Sequence, residues 1–408
     1  MAAMFVLGVL CALIVPIAAL PGQWFRSEDH AVNRLFPRQS TFAAVGSAEW
    51  RRKFPTGKLN DKDIPQQWLD ALNAAVADGR IPNIPPSTAP GRYVAANGTS
   101  LNAGSRAICS SSVNCKDALQ IYDVPDGIVA LSFDDGPLPA SPELYKFLRD
   151  NNQKVTHFFI GANILANPTI FLEAFNDNGD DIAVHTWSHP QMTTLSNTQV
   201  LAELGWTVQI IHDSTSGRLP RYWRPAYGDS DTRVRAIAYH IFGLETVIWN
   251  DDTNDWKIGQ GQTAAAAKSV LTRAYAGPKS PGLNILEHEL SKDTVKVFID
   301  TYPLIAQNGW KAESIPNALG ESWYLNSADN TSPVTERVVY GGPNGTVPAG
   351  SGGSTGGTGS GGSGSGSSSS SASAPNASST PSTQSPNSAM SSTPSALVLC
   401  LALTIALF

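Results

Sequence analysis

Two adjacent carboxylates, Asp134 and Asp135, close the short apolar run 128–133. Charges at the end of a buried strand are costly unless something cationic compensates them. A divalent metal would do so and would let the two side chains divide the work, one ligating and one acting as base. Further on, a third apolar run ends in His185-Thr-Trp-Ser-His189-Pro190. Neutral imidazole is a common zinc ligand. Two imidazoles and one carboxylate make three protein ligands and leave a fourth position open, the arrangement of a catalytic rather than a structural zinc site. Alone, two histidines four residues apart would fit a core or surface pair better. The strand-end Asp-Asp in the same unit gives the metal reading its weight.

Three more segments place polar groups after apolar runs. In Arg221-Tyr-Trp-Arg224-Pro225-Ala226-Tyr227-Gly228 an arginine is held by a Pro–Gly turn. A buried arginine there can orient a carboxylate through two parallel hydrogen bonds, and backbone N–H groups of the turn can face a developing oxyanion. An arginine capping a surface turn is the alternative. Asp252-Thr-Asn-Asp255-Trp256 follows the run 244–250, and the run 283–287 leads into His288. A strand-end histidine within reach of a carboxylate can act as a general acid, with Asp255 favouring its imidazolium form.

The elements that must position these groups are legible as texture. Short apolar runs at 128–133, 155–160, 181–185, 222–224, 244–250 and 283–287, with a seventh at 310–315, alternate with helix-like stretches. Those stretches are 142–150, 168–178, 197–213, 232–241, 262–276 and 293–307. Such alternation argues for a parallel α/β sheet, open or closed. Periodicity does not separate a barrel from a doubly wound sheet, but catalytic groups at successive strand ends are the layout of an α/β barrel. Residues 125–320 are therefore expected to form the catalytic domain. Residues 21–124 read as a loop-rich N-terminal extension with one helix at 66–78, and Trp24, Trp50 and Trp68 are expected to pack against the domain rather than stack on glycans.

The ends carry their own signals. Residues 1–20 are an apolar run closed by small residues, which reads as a secretory signal peptide, with a retained signal anchor as the alternative. Residues 321–395 are expected to be a flexible Ser/Gly/Thr/Pro-rich stalk, and residues 396–408 an uncharged apolar tail. Small residues, a polar spacer and such a tail form the pattern of a GPI attachment signal, placed here at Asn387. The tail is too short to span ~30 Å of hydrocarbon. Of four cysteines, Cys109 and Cys115 would remain after processing. In an oxidising compartment they are expected to pair, although a metal site is the sharper alternative. Sequons at Asn97, Asn330, Asn344 and Asn376 would be surface glycosylation sites. A net charge of −6 without a Lys/Arg block leaves no footprint for nucleic acid.

Taken together, the motifs resemble the polysaccharide deacetylases of carbohydrate esterase family four, over roughly residues 125–320. Ser132-Phe-Asp134-Asp135-Gly136-Pro137 matches the first motif, with Ser132 where Thr is usual, and His185 to Pro190 the second. Arg221 to Gly228 matches the third, with Ala226 where a second Pro is commoner. Asp251 to Trp256 matches the fourth and Leu286-Glu287-His288 the fifth. The resemblance implies a distorted (β/α) barrel of six or seven parallel strands. It implies that Asp135, His185 and His189 bind Zn²⁺ or Co²⁺, that Asp134 is the base oriented by Arg224, and that His288, tuned by Asp255, is the acid. The backbone N–H of Tyr227 would hold the oxyanion, and Trp256 and Leu286 would line the acetyl pocket. With the signal, stalk and tail, the chain is similar to fungal chitin deacetylases. That implies a monomer secreted to the cell wall, tethered to the outer leaflet by a GPI anchor, and acting on chitin or partly acetylated chito-oligosaccharides. Acetylxylan esterase is the enzymatic alternative, and a non-catalytic glycan-binding protein the alternative from another class.

Overall fold

The structure, a computed structural model, describes residues 30–36, 39 and 41–335. The expected signal peptide, Trp24, Asn344, Asn376, Asn387 and the apolar tail lie outside the described residues.

Apart from one helix, the described residues of the N-terminal extension form only short elements, because Pro and Gly interrupt most runs. Strands β1 (Tyr93–Val94) and β2 (Ser100–Leu101) pair antiparallel. The helix Gln66–Ala77 appears where its apolar spacing places it. The extension ends in β3 (Gln120–Ile121), and the body follows with β4 (Ile128–Ala130), β5 (Ser132–Asp134), β6 (Thr156–Phe159), β7 (Asp181–Val184) and β8 (Tyr222–Trp223). Strands β9 (Glu245–Val247), β10 (Asp251–Asp252), β11 (Leu283–Leu286) and β12 (Lys311–Glu313) complete it. All residues of β6 and β7 are buried, as expected for strands of a parallel sheet covered on both faces.

Two parallel sheets form, in the orders β3-β9-β8-β7-β6-β5 and β10-β11-β4-β12. They are one curled surface. Strands β4 and β5 are successive parts of a single run interrupted at Leu131, and a parallel bridge between Asp134 and His288 ties the end of β5 to the end of β11. The result is a distorted (β/α) barrel. Register carries the site across it: Phe133 sits opposite His157, His157 opposite Ile182, Val184 opposite Trp223, and Trp223 opposite Thr246.

Several boundaries differ from the sequence expectation for local reasons. The run 244–250 divides into β9 and the approach to β10, so Asp251 and Asp252 are strand residues. The helix expected over 293–307 breaks into Lys292–Thr301 and Pro303–Gln307, since Pro303 has no N–H to donate. Helices Gly161–Ala166 and Ile315–Leu319 were not anticipated; neither is long enough to show a period. The boundary at 320 is also corrected. Tyr324 and Leu325 are buried, and Leu325 N–H donates to Leu219 O at 2.9 Å. Residues 321–335 are thus part of the body, not of a stalk.

The main core lies between the curled sheet and its helices, and it includes residues of the extension. Trp50 and Trp68 are fully buried, which accords with packing rather than glycan stacking. The Trp68 ring lies 5.3 Å from Trp206 and 6.0 Å from Phe242 between centroids, joining the helix Gln66–Ala77 to Asn197–Ser214 and Thr232–Phe242. Its indole Nε1 is buried without a hydrogen-bond partner, so shape rather than polarity holds it. Trp68→Ala is expected to destabilise the whole domain by about 3–5 kcal/mol and Trp68→Phe by much less. Denaturant melts of the two variants check this, and an unchanged midpoint for Trp68→Ala would mean that the extension is not integral.

Candidate metal and catalytic site

The polar residues singled out from the sequence converge on one cleft at the C-terminal ends of the parallel strands. Asp134, Asp135, His185, His189, Tyr227, Trp256, Leu286 and His288 all line it, in a volume of about 470 Å³. Arg224 and Asp255 stand behind them, both buried. Asp134 ends β5, His185 follows β7, Arg224 follows β8 and His288 follows β11. Parallel pairing brings these ends together although the residues span more than 150 positions of chain.

The metal-type ligands form the tightest group. Asp135, His185 and His189 offer ligand atoms that all lie within 4.8 Å of one another. Asp135 Oδ1 is 3.3 Å from the Nε2 atoms of both His185 and His189. The other ring nitrogen of His185, Nδ1, lies 2.7 Å from the carbonyl oxygen of Arg224. A carbonyl only accepts, so Nδ1 carries the proton and the Nε2 lone pair is free for a metal. Asp135 Oδ1 is buried and makes no hydrogen bond. A buried carboxylate oxygen facing an imidazole lone pair is expensive unless a cation lies between them, so the residues present fit a divalent ion.

Asp134 is held differently. Arg224 Nη1 donates to its Oδ1 at 2.6 Å, leaving Oδ2 turned to the site, 3.7 Å from His185 Nε2. The expected two-bond fork is not formed. Arg224 Nη2 instead donates to Ser132 Oγ at 3.0 Å and Asn284 Oδ1 at 3.3 Å, and the guanidinium lies 4.1 Å from the Phe158 ring centroid. Ser132, which departs from the usual Thr, keeps the hydroxyl that this contact uses.

On another wall, His288 Nδ1 lies 2.7 Å from Asp255 Oδ1, and its backbone N–H donates to Asp255 Oδ2 at 2.9 Å. Burial alone would lower the pKa of His288, but the Asp255 charge and hydrogen bond outweigh it and raise it to about 9. The imidazolium therefore persists through neutral pH.

The loops that aim these groups hold left-handed backbone at non-glycine residues: Asp135 (φ 75°), His189 (φ 60°) and Tyr227 (φ 58°). Such conformations cost about 1–3 kcal/mol each and persist where the surroundings over-determine them, typically at functional sites. Tyr227 forms an exposed lip with its ring 4.5 Å from that of His189. Gly228 carries φ 65°, and a Cβ there would meet the Trp249 ring at 2.8 Å. The turn survives with Ala226 in place of a second Pro: Gly228 N–H donates to Pro225 O at 2.9 Å.

Sequence reading missed Trp249, Gln260 and Leu290 on the cleft wall. It also missed a buried support. His157 on β6 lies between Glu289 Oε1 at 2.9 Å and Asp180 Oδ2 at 3.2 Å, and Tyr145 OH donates to Glu289 Oε2. The Glu289 carboxyl presses on Gly136, where a Cβ would come within 2.3 Å of its carboxyl carbon. A histidine in the middle of the run 155–160 was the available signal.

The outlying residues divide. Cys109 and Cys115 are disulfide-bonded, with Cα atoms 5.1 Å apart. Asn97 is exposed. Asn330 is not the free acceptor its sequon suggested. Its amide nitrogen donates to Asp180 O at 2.7 Å and Phe175 O at 3.5 Å, and its Oδ1 accepts from Tyr324 OH. The cause is the packing of residues 321–335 against the body.

A parallel-stranded barrel with an Asp-His-His cluster beside an Arg-held carboxylate and an Asp-held histidine fits a metal-assisted hydrolase. Residues 122–245 match the family model described as polysaccharide deacetylase. Chitin deacetylase 3 of Cryptococcus neoformans var. neoformans is 42% identical over 328 residues, covering 79% of this chain and 78% of that protein. The chitin deacetylase of Amylomyces rouxii is 33% identical over 286 residues, covering 66% and 65%. Among solved structures, the chitin deacetylase of Colletotrichum lindemuthianum aligns at 24% identity over 50% of this chain and 94% of that one, with a TM-score of 0.47. The chain belongs to the polysaccharide deacetylases of carbohydrate esterase family four, and is a hydrolytic deacetylase.

The His288–Asp255 pair sets a pH dependence. A histidine whose pKa is raised to about 9 is protonated below that pH and loses its proton above it. Asp255→Asn removes the charge that raises it and leaves the burial that lowers it. Asp255 is the largest of the charges that raise it, so the alkaline limb of kcat/KM is expected to move from near pH 9 to lower pH, read from pH–rate profiles of the two proteins. An unmoved limb would show that His288 is not the acid being titrated.

Proposed function

We propose that the enzyme hydrolyses N-acetyl groups of GlcNAc residues in chitin, giving chitosan and acetate. The observation that carries the reading is the meeting, in one cleft, of the Asp135–His185–His189 group with the Arg224-held Asp134 and the Asp255-held His288. The substrate class follows the name shared by the relatives, one of which matches over 79% of the chain.

A zinc or cobalt ion held by Asp135, His185 and His189 would supply Lewis-acid polarisation of the amide carbonyl and lower the pKa of a water molecule. The chain's own groups do the rest. Asp134 takes the proton of the attacking water at Oδ2, while Arg224 keeps Oδ1 occupied and the carboxylate oriented. The backbone N–H of Tyr227 faces the developing oxyanion. His288 Nε2 gives its proton to the departing sugar nitrogen, with Asp255 fixing the ring through Nδ1. Trp256, exposed, and Leu286, buried, form the wall for the acetyl methyl group. The enzyme is proposed to be a secreted monomer, tethered to the outer leaflet by a GPI anchor and working in the cell wall.

Acetate release from chitin oligomers and from acetylated xylan, measured side by side, tests the reading. Release from the chitin oligomers is expected, abolished by chelator and restored by added Zn²⁺ or Co²⁺. Release from the xylan alone would make the protein an acetylxylan esterase. Asp134→Asn should keep the metal while losing a factor of about 10²–10⁴ in turnover; metal content by mass spectrometry separates the two effects. For the anchor, phosphatidylinositol-specific phospholipase should release the protein from membranes, and continued retention would contradict it.

A further inference from the structure

The loop from His185 to His189 leaves β7 and carries one imidazole at each end. Its backbone is left-handed at Thr186 (φ 66°) as well as at His189 (φ 60°). Such backbone persists where its surroundings over-determine it. Within the loop, His189 N–H donates to Thr186 Oγ1 at 3.0 Å. The other constraints come from two neighbouring helices.

One helix takes the loop's carbonyls. Thr186 O and Trp187 O accept from the N–H groups of Gly161 and Ala162, each at 3.0 Å. These residues open the helix Gly161–Ala166, whose Asn163 Nδ2 also donates to the Asp135 carbonyl at 2.7 Å. A Cβ at Gly161 would meet the Trp187 ring at 2.4 Å, so the close approach needs glycine. The carboxylate turn and the histidine loop are thus held by one support.

A carboxylate takes the loop's amides. Glu203, on the helix Asn197–Ser214, accepts at Oε2 from the N–H groups of Trp187 and Ser188, both at 2.8 Å. Its Oε1 accepts from Ser188 Oγ at 2.6 Å. Glu203 is buried, and among the described residues no cation faces it. A buried carboxylate without a counter-ion is costly, and here hydrogen bonds to the loop are what compensate it. The helix beneath is a firm platform: Ser196 and Gln199 form a capping box at its start, and most of its residues are buried. Glu203 does not line the cleft, so whatever it contributes passes through the loop.

We infer that Glu203 is a positioning residue for the metal ligands. By holding the Trp187 and Ser188 amides it sets the separation and aim of His185 and His189, and with them the affinity for a divalent ion. The inference rests on the reading of Asp135, His185 and His189 as metal ligands. Reach and hydrogen-bond acceptance carry the effect, not the negative charge.

Two substitutions separate reach from charge. Glu203→Gln keeps the length of the side chain and an oxygen for both amides, and its Nε2 can donate to Ser188 Oγ. Glu203→Asp keeps the charge and shortens the reach. Zinc affinity of each intact protein is measured by competition with a chromogenic chelator, alongside the denaturant midpoint of the metal-free form. Glu203→Asp should lose about tenfold or more in zinc affinity, while Glu203→Gln stays within about threefold of the unaltered protein. A lowered midpoint with unchanged affinity in Glu203→Asp would make Glu203 a purely structural residue and overturn the inference. So would a loss of about tenfold in Glu203→Gln, whether or not Glu203→Asp folds. If the unaltered protein takes up no zinc, the metal reading falls, and the inference with it.

Discussion

Asp135 Oδ1 is buried between two imidazole nitrogens at 3.3 Å and accepts no hydrogen bond. The Nδ1 proton of His185 is committed to the Arg224 carbonyl, so the facing Nε2 presents a lone pair to a carboxylate. With both rings neutral that arrangement is unfavourable, and positive charge at its centre relieves it. The left-handed backbone at Asp135 and His189 turns their side chains to one point, the β-bridge of Asp134 with His288 sets carboxylate and imidazole on neighbouring strands, and the Arg224 guanidinium offsets the second buried carboxylate.

Around this centre the protein separates two kinds of electrostatics. At the cleft, Asp135 Oδ1 is left without a hydrogen bond. Beneath it, one buried set is closely paired. His157 is held between Glu289 and Asp180; burial would lower its pKa, but these carboxylates carry it up to about 9. Glu289 neighbours His288 in sequence and presses on Gly136, beside Asp135, so this buried pair lies where the acid strand meets the metal-ligand turn. Removing one partner of such a pair strands the other and is typically worth several kcal/mol.

The N-terminal extension is more than a lead-in. Trp50 and Trp68 complete the core, and the Cys109–Cys115 loop meets the catalytic turn through Ser111 and Ser112. A barrel presents the same strand ends whatever surrounds it. The segments laid across its mouth decide how far the binding surface reaches.

Much of this was legible before any coordinates. Strand-end carboxylates, the two histidines, Arg224, Asp255 and His288 stood out because each is a polar group placed where an apolar run stops, and such placements are rarely neutral. The alternation of runs and helices marked a parallel α/β fold for the same reason, since burial on both faces leaves continuous apolar strands. Closure into a barrel was not in the pattern. It is made by pairings between residues far apart in the chain, β11 with β4 and β10, and Asp134 with His288. Three-dimensional packing alone also decided that Arg224 divides its donors among Asp134, Ser132 and Asn284, that Trp249 walls the cleft, and that Asn330 is locked inward. Residue types and spacing fix which chemistry is available, because polarity and period are local properties. Which partner each group meets is decided by long-range pairing, which no local pattern encodes.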